Sequence, residues 1–507
     1  MMTKKTLILY CFILLRFVIQ YIAIGPEYDL DNDELLHLDL GKHLAWGYTS
    51  VPPVTAWISY LIIHLGNSVF WVKFFPALFG VLTMVIVWKT IEELKGNLYA
   101  LILGSVCVTF SILLVSHFAF HPSSLDVLLW TVMFFTIFKF INSENNLWLW
   151  MASLTLAIGF LNKYNIGFLV LGLLPAVLLT KHRKIFLNKH LYLSLLAAFI
   201  IVSPHLIWQY QNDFPVFHHL NELVDTQLVY LSRLDFLSEQ LSFIVISSFL
   251  IPVAFISFFK YAPFKKYAIF FWSYIFTISI YFCLNAKPYY PLGLYPILLA
   301  FGAVYIEKLL RNGWLIHLRY IVLWFPVGAI LLFHPVMLPV HSPVWIKESE
   351  FYKNFNGGEI SPYFTSMIGW SELAEIVDNA FDSIDDKNNT LILCEWYGQA
   401  GAINYYSKQN YTDAVAMHAD YINWFPLDEM EIRNVILVKH RTDTDKSREK
   451  EKALYDTISF VGEVKNIYAK EYGTRVYLLK GAKQSINEIL RKEIQERKNN
   501  RKVSNEI

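Results

Sequence analysis

The stretch "EYDLDNDELLHLDLGKHLAWGY", Glu27 to Tyr48, places six carboxylates between Glu27 and Asp39, directly after an apolar run long enough to cross a membrane. An ionised carboxylate held at a membrane rim can act as a general base, removing a proton from a hydroxyl as that hydroxyl attacks an electrophilic carbon. Asp33 and Glu34 are the candidates at the rim, with Asp31 beside them. A second acid, Asp126, opens the helix "SSLDVLLWTV" after "HFAFHPSS". Asp31 or Asp33 can therefore converge with Asp126 on one cavity from separate loops. Lys42, Lys163, Arg233 and Lys287 stand in segments otherwise poor in cations. Ionisable groups at membrane depth cost roughly 2.5–3.5 kcal/mol at a helix centre on insertion scales, and they usually line a polar cavity. An anionic ligand accounts for these cations, and a departing phosphate needs positive charge and hydrogen-bond donors where its charge develops. Lys287, Arg233 and Tyr290 are suited to that task.

Each of these residues has a competing structural reading. An aspartate such as Asp33 at a helix start can cap orphan N–H groups, and Asp126 can be a first-turn acid favoured by the helix dipole. Lys163 in "LNKYN" can snorkel to the interface. Lys42 reads as a solvated helix face. His37, His117 and His121 match no standard metal-ligand spacing and read as polar lining. No cofactor is firmly implied, and a divalent metal, the one alternative, has no residue pattern to support it.

Positioning such groups requires a membrane scaffold. The chain has 507 residues, 55% hydrophobic, 17% aromatic and only 17% charged, with mean hydropathy +0.38. This is too apolar for a soluble protein, and a net charge of +1 gives no sign of a nucleic-acid partner. Apolar runs near 6–24, 69–90, 98–116, 124–141, 147–162, 165–180, 191–210, 237–259, 267–285, 290–307 and 319–338 predict about 11 spanning helices. The first run, with Arg16 inside it and no small-residue cleavage site, reads as a retained helix. Lys89, Lys95, Lys139, "KHRK", "KYAPFKK" and Lys308 fall in alternate loops, which the positive-inside rule places in the cytoplasm. The odd helix count then puts Asp33, the 211–236 loop, "NAKPYY" and the C-terminal part on the outer face of a plasma (inner) membrane.

Between spans, residues 33–66 read as two interfacial helices. The first offers Leu35, Leu36, Leu38, Leu40 and Leu44 as apolar surface, with Trp46 and Tyr48 in the headgroup zone. Residues 341–485 turn polar and alternate helix "SELAEIVDNAF", strand "TLILCEW", helix "QAGAINYY", and strands "RNVILVKH" and "TRVYLLKG", predicting a soluble α/β domain. Gly398 and Gly401 suggest a flexible edge there, suited to covering the cavity. Residues 486–507 read as a charged tail. Cys11, Cys107, Cys283 and Cys394 do not form a disulfide framework. A transporter of an anionic lipid or sugar is the rival reading, but the internal repeats and glycine-interrupted helices expected of one are not seen.

The outer "DE" after the first helix, "HLAWGY" leading to a Pro pair, "LD" at 125–126, "LNKYN", "LIWQYQNDFP" and "KPYYPLGLYP" together resemble glycosyltransferase family 39. This is the GT-C type that includes protein O-mannosyltransferases and ArnT aminoarabinose transferases. The resemblance covers most of residues 25–310, and "LILCEWYGQAGAINYYSKQN" is similar to the outer domain of bacterial members. It implies inverting transfer of a sugar from a polyprenyl-phosphate donor to a lipid, glycan or protein acceptor. Asp33 matches the "DE" aspartate, Asp126 the second-loop aspartate, Arg233 the phosphate arginine, and Tyr289 or Tyr290 the phosphate tyrosine. Val51 departs from the lysine that ArnT carries before its paired prolines, here Pro52 and Pro53, which weakens any assignment of aminoarabinose or lipid A.

Overall fold

The computed structural model describes residues 3–247, 249–409 and 411–503. Among these, seven helices are long and apolar enough to cross a membrane: Lys4–Ile22, Val69–Glu93, Pro122–Ser143, Lys189–Gln211, Ala262–Cys283, Tyr290–Leu309 and Gly313–Met337. An eighth span arises if Ile166–Leu179 and Lys181–Leu187, bent by 110° at their junction, are taken together. Three further expected spans are occupied by shorter apolar helices, Leu98–Thr109, Leu147–Asn162 and Leu250–Lys260. At about 1.5 Å per residue the first of these reaches only ~18 Å. It stops because Ser111 accepts the Leu113 N–H and caps a separate turn, Ile112–Ser116. The expected 237–259 span is shared by helices Arg233–Ser247 and Leu250–Lys260.

Lys73 and Arg16, charged groups inside the bundle, both have polar partners, as the cost of burying them demands. Lys73, in the middle of "VFWVKFFPALF", is 1% exposed and holds Glu34 at 2.7 Å. Arg16 donates to Gln20, which in turn donates to the Phe118 carbonyl at 2.8 Å.

The C-terminal domain is a five-stranded sheet in the order β2-β1-β3-β5-β4: β1 (Thr390–Cys394), β2 (Val415–Ala416), β3 (Asn434–Lys439), β4 (Tyr455–Glu463) and β5 (Arg475–Ala482). Strand β1 runs parallel to β2 and β3, whereas β5 runs antiparallel to β3 and β4. The two-residue period divides the strands between two cores. Leu391, Val435, Leu437 and Leu479 pack with Ile486 and Leu490 of helix Ile486–Val503, so most of the expected charged tail is a docked helix; its last residues, 504–507, lie outside the described ones. Ile392, Ile436, Val438 and Leu478 share the other core with helix Trp370–Asp382, with helix Tyr397–Tyr406 and with Leu30, Leu35, Leu36 and Leu38.

That shared core corrects the interfacial reading of "DNDELLHLDL". The acidic helix, Asn32–Leu40, is covered by the C-terminal domain: Leu35, Leu36, Leu38 and Leu40 are all buried, as is Tyr48. Only Leu44 and Trp46 remain half exposed. Gly398 and Gly401 are equally misjudged as a flexible edge. They lie in helix Tyr397–Tyr406, and a Cβ at Gly401 would come within 3.0 Å of the Leu35 Cβ. The glycines let two helices touch.

Candidate active site

The six acids of the opening stretch divide by what they touch. Asp29 accepts from the Trp370 and Ser371 N–H groups at 2.8 and 3.2 Å, binding helix Trp370–Asp382 at its start. Asp31 is the N-cap of the acidic helix: it accepts from the Asp33 N–H at 3.0 Å, while Glu34 accepts from the Asp31 N–H, a reciprocal capping box. Asp39 accepts from Asn404 and Tyr421, each at 2.7 Å, and its partner Lys42 also meets Asp413 at 3.1 Å. Lys42 is thus a clamp between the two parts of the molecule and not a merely solvated cation. Glu27 is exposed.

Glu34, expected to share acid–base work, has both oxygens engaged. They accept from Lys73 Nζ at 2.8 and 2.7 Å, and Oε1 also accepts from the Phe120 N–H at 2.6 Å. A buried, fully bonded carboxylate has no lone pair directed at a substrate, so Glu34 is a structural counter-ion.

Asp31, Asp33 and Glu34 all line one cavity, and of these Asp33 is the acid with an oxygen not taken up by a cap, an ion pair with lysine or a close hydrogen bond. Because Asp31 takes the cap, the competing assignment for Asp33 falls away. Its side chain is 41% exposed, onto a cavity of about 470 Å³ lined also by His121, Ser123, Tyr289, Tyr363 and Tyr397. Oδ1 accepts from the Tyr397 hydroxyl at 2.7 Å and from Asn32 at 3.0 Å. Oδ2 has His121 Nε2 at 3.7 Å. The Ser123 N–H donates to His121 Nδ1, so in the neutral ring the proton belongs on Nε2, facing Asp33. Burial works against the charge of Asp33, but the contact with His121 and the Tyr397 hydrogen bond outweigh it and hold the carboxyl below its ordinary range. Asp31 is pushed the other way, by burial first and then by the charge of Asp33. His37 is lowered to about 3 by burial and by neighbouring His121, and so stays neutral. Among the described residues no three His, Cys, Asp or Glu side chains gather as metal ligands.

Next to the cavity, around Ser123 and Tyr289 of its lining, stands a group of cations. Lys163 donates to Ser123 Oγ at 2.8 Å and stands over the rings of Tyr290 and Tyr289 at 4.6 and 5.3 Å. Lys287 reaches Gln227 at 2.5 Å, and burial lowers its pKa although Asp33 partly restores it. Tyr289 lines the cavity. Tyr290 contributes its ring to Lys163 and its carbonyl to Asn165, which donates to it at 2.9 Å. Arg233 is exposed at the start of helix Arg233–Ser247. The neighbouring Leu231 carbonyl is tied to Asn285 at 2.8 Å, so Arg233 belongs to the rim on the Lys287 side and not to the cavity wall.

Asp126 does not line the cavity with Asp33. His121 caps its helix, and Asp126 is buried beneath, accepting from Asn165 Nδ2 at 2.7 Å. The same amide holds the Tyr290 carbonyl, and the Tyr281 hydroxyl donates to Asn165 Oδ1. Asp126 therefore acts through Asn165 on the backbone of the tyrosine pair, as a positioning residue. His117 bonds the Leu113 carbonyl at 2.6 Å and is structural.

A polytopic helical bundle, with Asp33 on a cavity that the C-terminal α/β domain helps to line, fits the architecture that the resemblance implies. Comparison with known proteins bears out the resemblance to glycosyltransferase family 39 in its ArnT-like form. Residues 50–208 match the family model described as dolichyl-phosphate-mannose-protein mannosyltransferase, a span that includes Asp126 and Lys163 but begins after Asp33. The lipid A galacturonosyltransferase RgtD of Rhizobium johnstonii is 23% identical over 200 residues, 38% of this chain. The match spans only 41% of that relative's length. Crystal structures of ArnT from Cupriavidus metallidurans share the fold: the apo form with TM-score 0.62 at 11% identity, and the form bound to undecaprenyl phosphate with TM-score 0.63 at 12% identity. Each alignment covers 92% of this chain and 97% of the ArnT chain.

Proposed function

We propose that this protein is an inverting glycosyltransferase that moves a sugar from a polyprenyl-phosphate donor to a hydroxyl acceptor at the outer face of the membrane. The observation that carries the reading is Asp33, which keeps one oxygen on the cavity beside Tyr289, with Lys287 near enough to feel its charge and Lys163 over the Tyr289 and Tyr290 rings. In this reading Asp33 Oδ2 removes the acceptor proton as the acceptor oxygen bonds the anomeric carbon. The carbon–phosphate oxygen bond breaks on the opposite side, and its electron pair leaves with the lipid phosphate, which needs no proton. Lys163 and Lys287 balance the phosphate charge while the tyrosines supply hydroxyl donors. The ArnT bound to undecaprenyl phosphate supports a polyprenyl donor, and the galacturonosyltransferase relative supports sugar transfer to a glycolipid.

The test uses the full chain in lipid vesicles with undecaprenyl-phosphate-linked hexoses and uronic acids, and candidate glycolipid, glycan and peptide acceptors. Free undecaprenyl phosphate should be released in step with glycosylation of one acceptor class. Movement of the intact donor across the bilayer without cleavage would instead establish the transporter reading. A cysteine placed at Ile360 should be labelled from outside the cell; labelling from the cytoplasm alone would reverse the proposed face.

A further inference from the structure

Tyr397 lies 364 residues from Asp33 in the chain, and three features of the C-terminal domain bring its hydroxyl there. The turn before it is locked by the fully buried Gln399, whose side chain accepts from the Glu395 and Trp396 N–H groups at 3.1 and 3.2 Å and donates to Glu471 at 2.7 Å. The Tyr397 ring stacks on His418, with centroids 5.3 Å apart and planes 14° from parallel. Gly398 allows the helix start to rest on Asn32, where a Cβ would meet the Asn32 Cβ at 3.1 Å.

The hydroxyl has one proton to give. Asn32 Nδ2 donates to its oxygen at 2.7 Å, so the proton goes to Asp33 Oδ1, also at 2.7 Å. Oδ1 thus accepts from both Tyr397 and Asn32, whereas Oδ2 has only His121, at 3.7 Å. The two oxygens of one carboxylate are made inequivalent by a residue of the other domain. Tyr363, Ser366 and Lys470 of the same domain also line the cavity.

We propose that the C-terminal domain is a working part of the active site, and that Tyr397 is a positioning residue that occupies Asp33 Oδ1 and turns Oδ2 toward the acceptor hydroxyl. The proposal rests on the reading of Asp33 as the base. Asp31 and His37 from the same segment face Asp33, as do His121 ahead of helix Pro122–Ser143, Lys287 and Tyr289 from the loop after Cys283, and Tyr363 from the domain. All of them remain in a Tyr397→Phe variant, so a change in pH profile between wild type and variant isolates the one hydroxyl.

The experiment is the pH–rate profile of kcat/KM for the full chain in vesicles, wild type against Tyr397→Phe, with Asp33→Asn alongside. Loss of a donor to the charged carboxylate should move the acid limb to higher pH, on the order of one unit, and lower the rate about ten-fold near neutrality. An unmoved acid limb overturns the proposal, whatever happens to the rate, because a purely structural tyrosine would lower activity without touching the base. If Asp33→Asn is inactive while the Tyr397→Phe limb stays in place, only this proposal fails. If Asp33→Asn keeps full activity, the base assignment itself fails. Should Tyr397→Phe not fold, His418→Ala, which removes the ring stacked on Tyr397, must move the limb in the same direction, and an unmoved limb there is equally contrary.

Discussion

The two ends of the helix bundle treat charge in opposite ways. At the end where the basic loops gather, Lys139 pairs with Glu93 and Lys89 with Glu92 through side chains 21–55% exposed. Such pairs contribute about 0–1 kcal/mol, since water and salt screen them. At the other end Glu34 and Lys73 are each 1% exposed, Asp39 is buried between Tyr421 and Lys42, and a whole domain covers the acidic helix. Charge around the acidic helix is sequestered, whereas these two pairs at the basic end stand in solvent, although Glu307 there is buried beside Asn97 and Lys308. Of six acids in a short segment, four act as a cap, a counter-ion or ties between domains, and these fix the position of Asp33.

Lys73→Met is the harshest way to break this contrast. It leaves Glu34 buried without its counter-charge, which costs about 3–5 kcal/mol and should show as a large fall in thermal stability in detergent. The double variant Glu34→Gln/Lys73→Met should recover part of the loss, and no recovery would mean that the pair is not the unit described. Next in size, Lys287→Ala removes a charged donor from the phosphate side and should lower donor use roughly ten- to hundred-fold with folding intact; wild-type donor kinetics would exclude Lys287 from phosphate binding. A smaller effect is expected of Asp31→Asn. Burial and the adjacent Asp33 raise the Asp31 pKa in the folded chain, so its contribution to stability is complete below its unfolded value, roughly 4, and is lost as pH rises toward the folded value. Asparagine caps about as well as aspartate, so the variant should gain melting temperature relative to wild type at pH 8, show little difference at pH 4, and stay active. The reverse trend would count against the assignment of Asp31 as cap. Smallest of all, Lys139→Ala at the basic end should change stability by no more than about 1 kcal/mol, and a drop comparable to that of Lys73→Met would erase the contrast.

Much of the scaffold was legible because apolar period and length carry it. All eleven apolar runs hold helices, and β1, β3 and β5 centre on short apolar runs, "LIL", "VILV" and "VYLL". Strand β4 escaped because "YDTISFVGE" is an edge strand with Asp456, Thr457 and Ser459 interleaved, which reads as a polar loop. In the site, the nearness of Asp33 to a cavity could be read from its place at the end of a span. Glu34 and Asp126 were placed in the right neighbourhood but in the wrong role, because a sequence shows an acid and not which of its oxygens are already bonded. Lys73 did carry a signal, since a lysine within an apolar run requires a buried partner, but the sequence did not say which: Glu92 and Glu93 lie nearer to it along the chain than any acid of the opening stretch. Tyr397 and Asn165 carried none, since each matters through a contact that only the folded chain creates.

The most direct test of the account is the transfer rate of a folded, membrane-inserted Asp33→Asn variant at neutral pH with saturating polyprenyl-phosphate sugar. Asparagine keeps the size of the side chain and can accept the Tyr397 bond, but it cannot take a proton. The account predicts a loss on the order of 10²- to 10⁴-fold; a variant within a few-fold of wild type would contradict it.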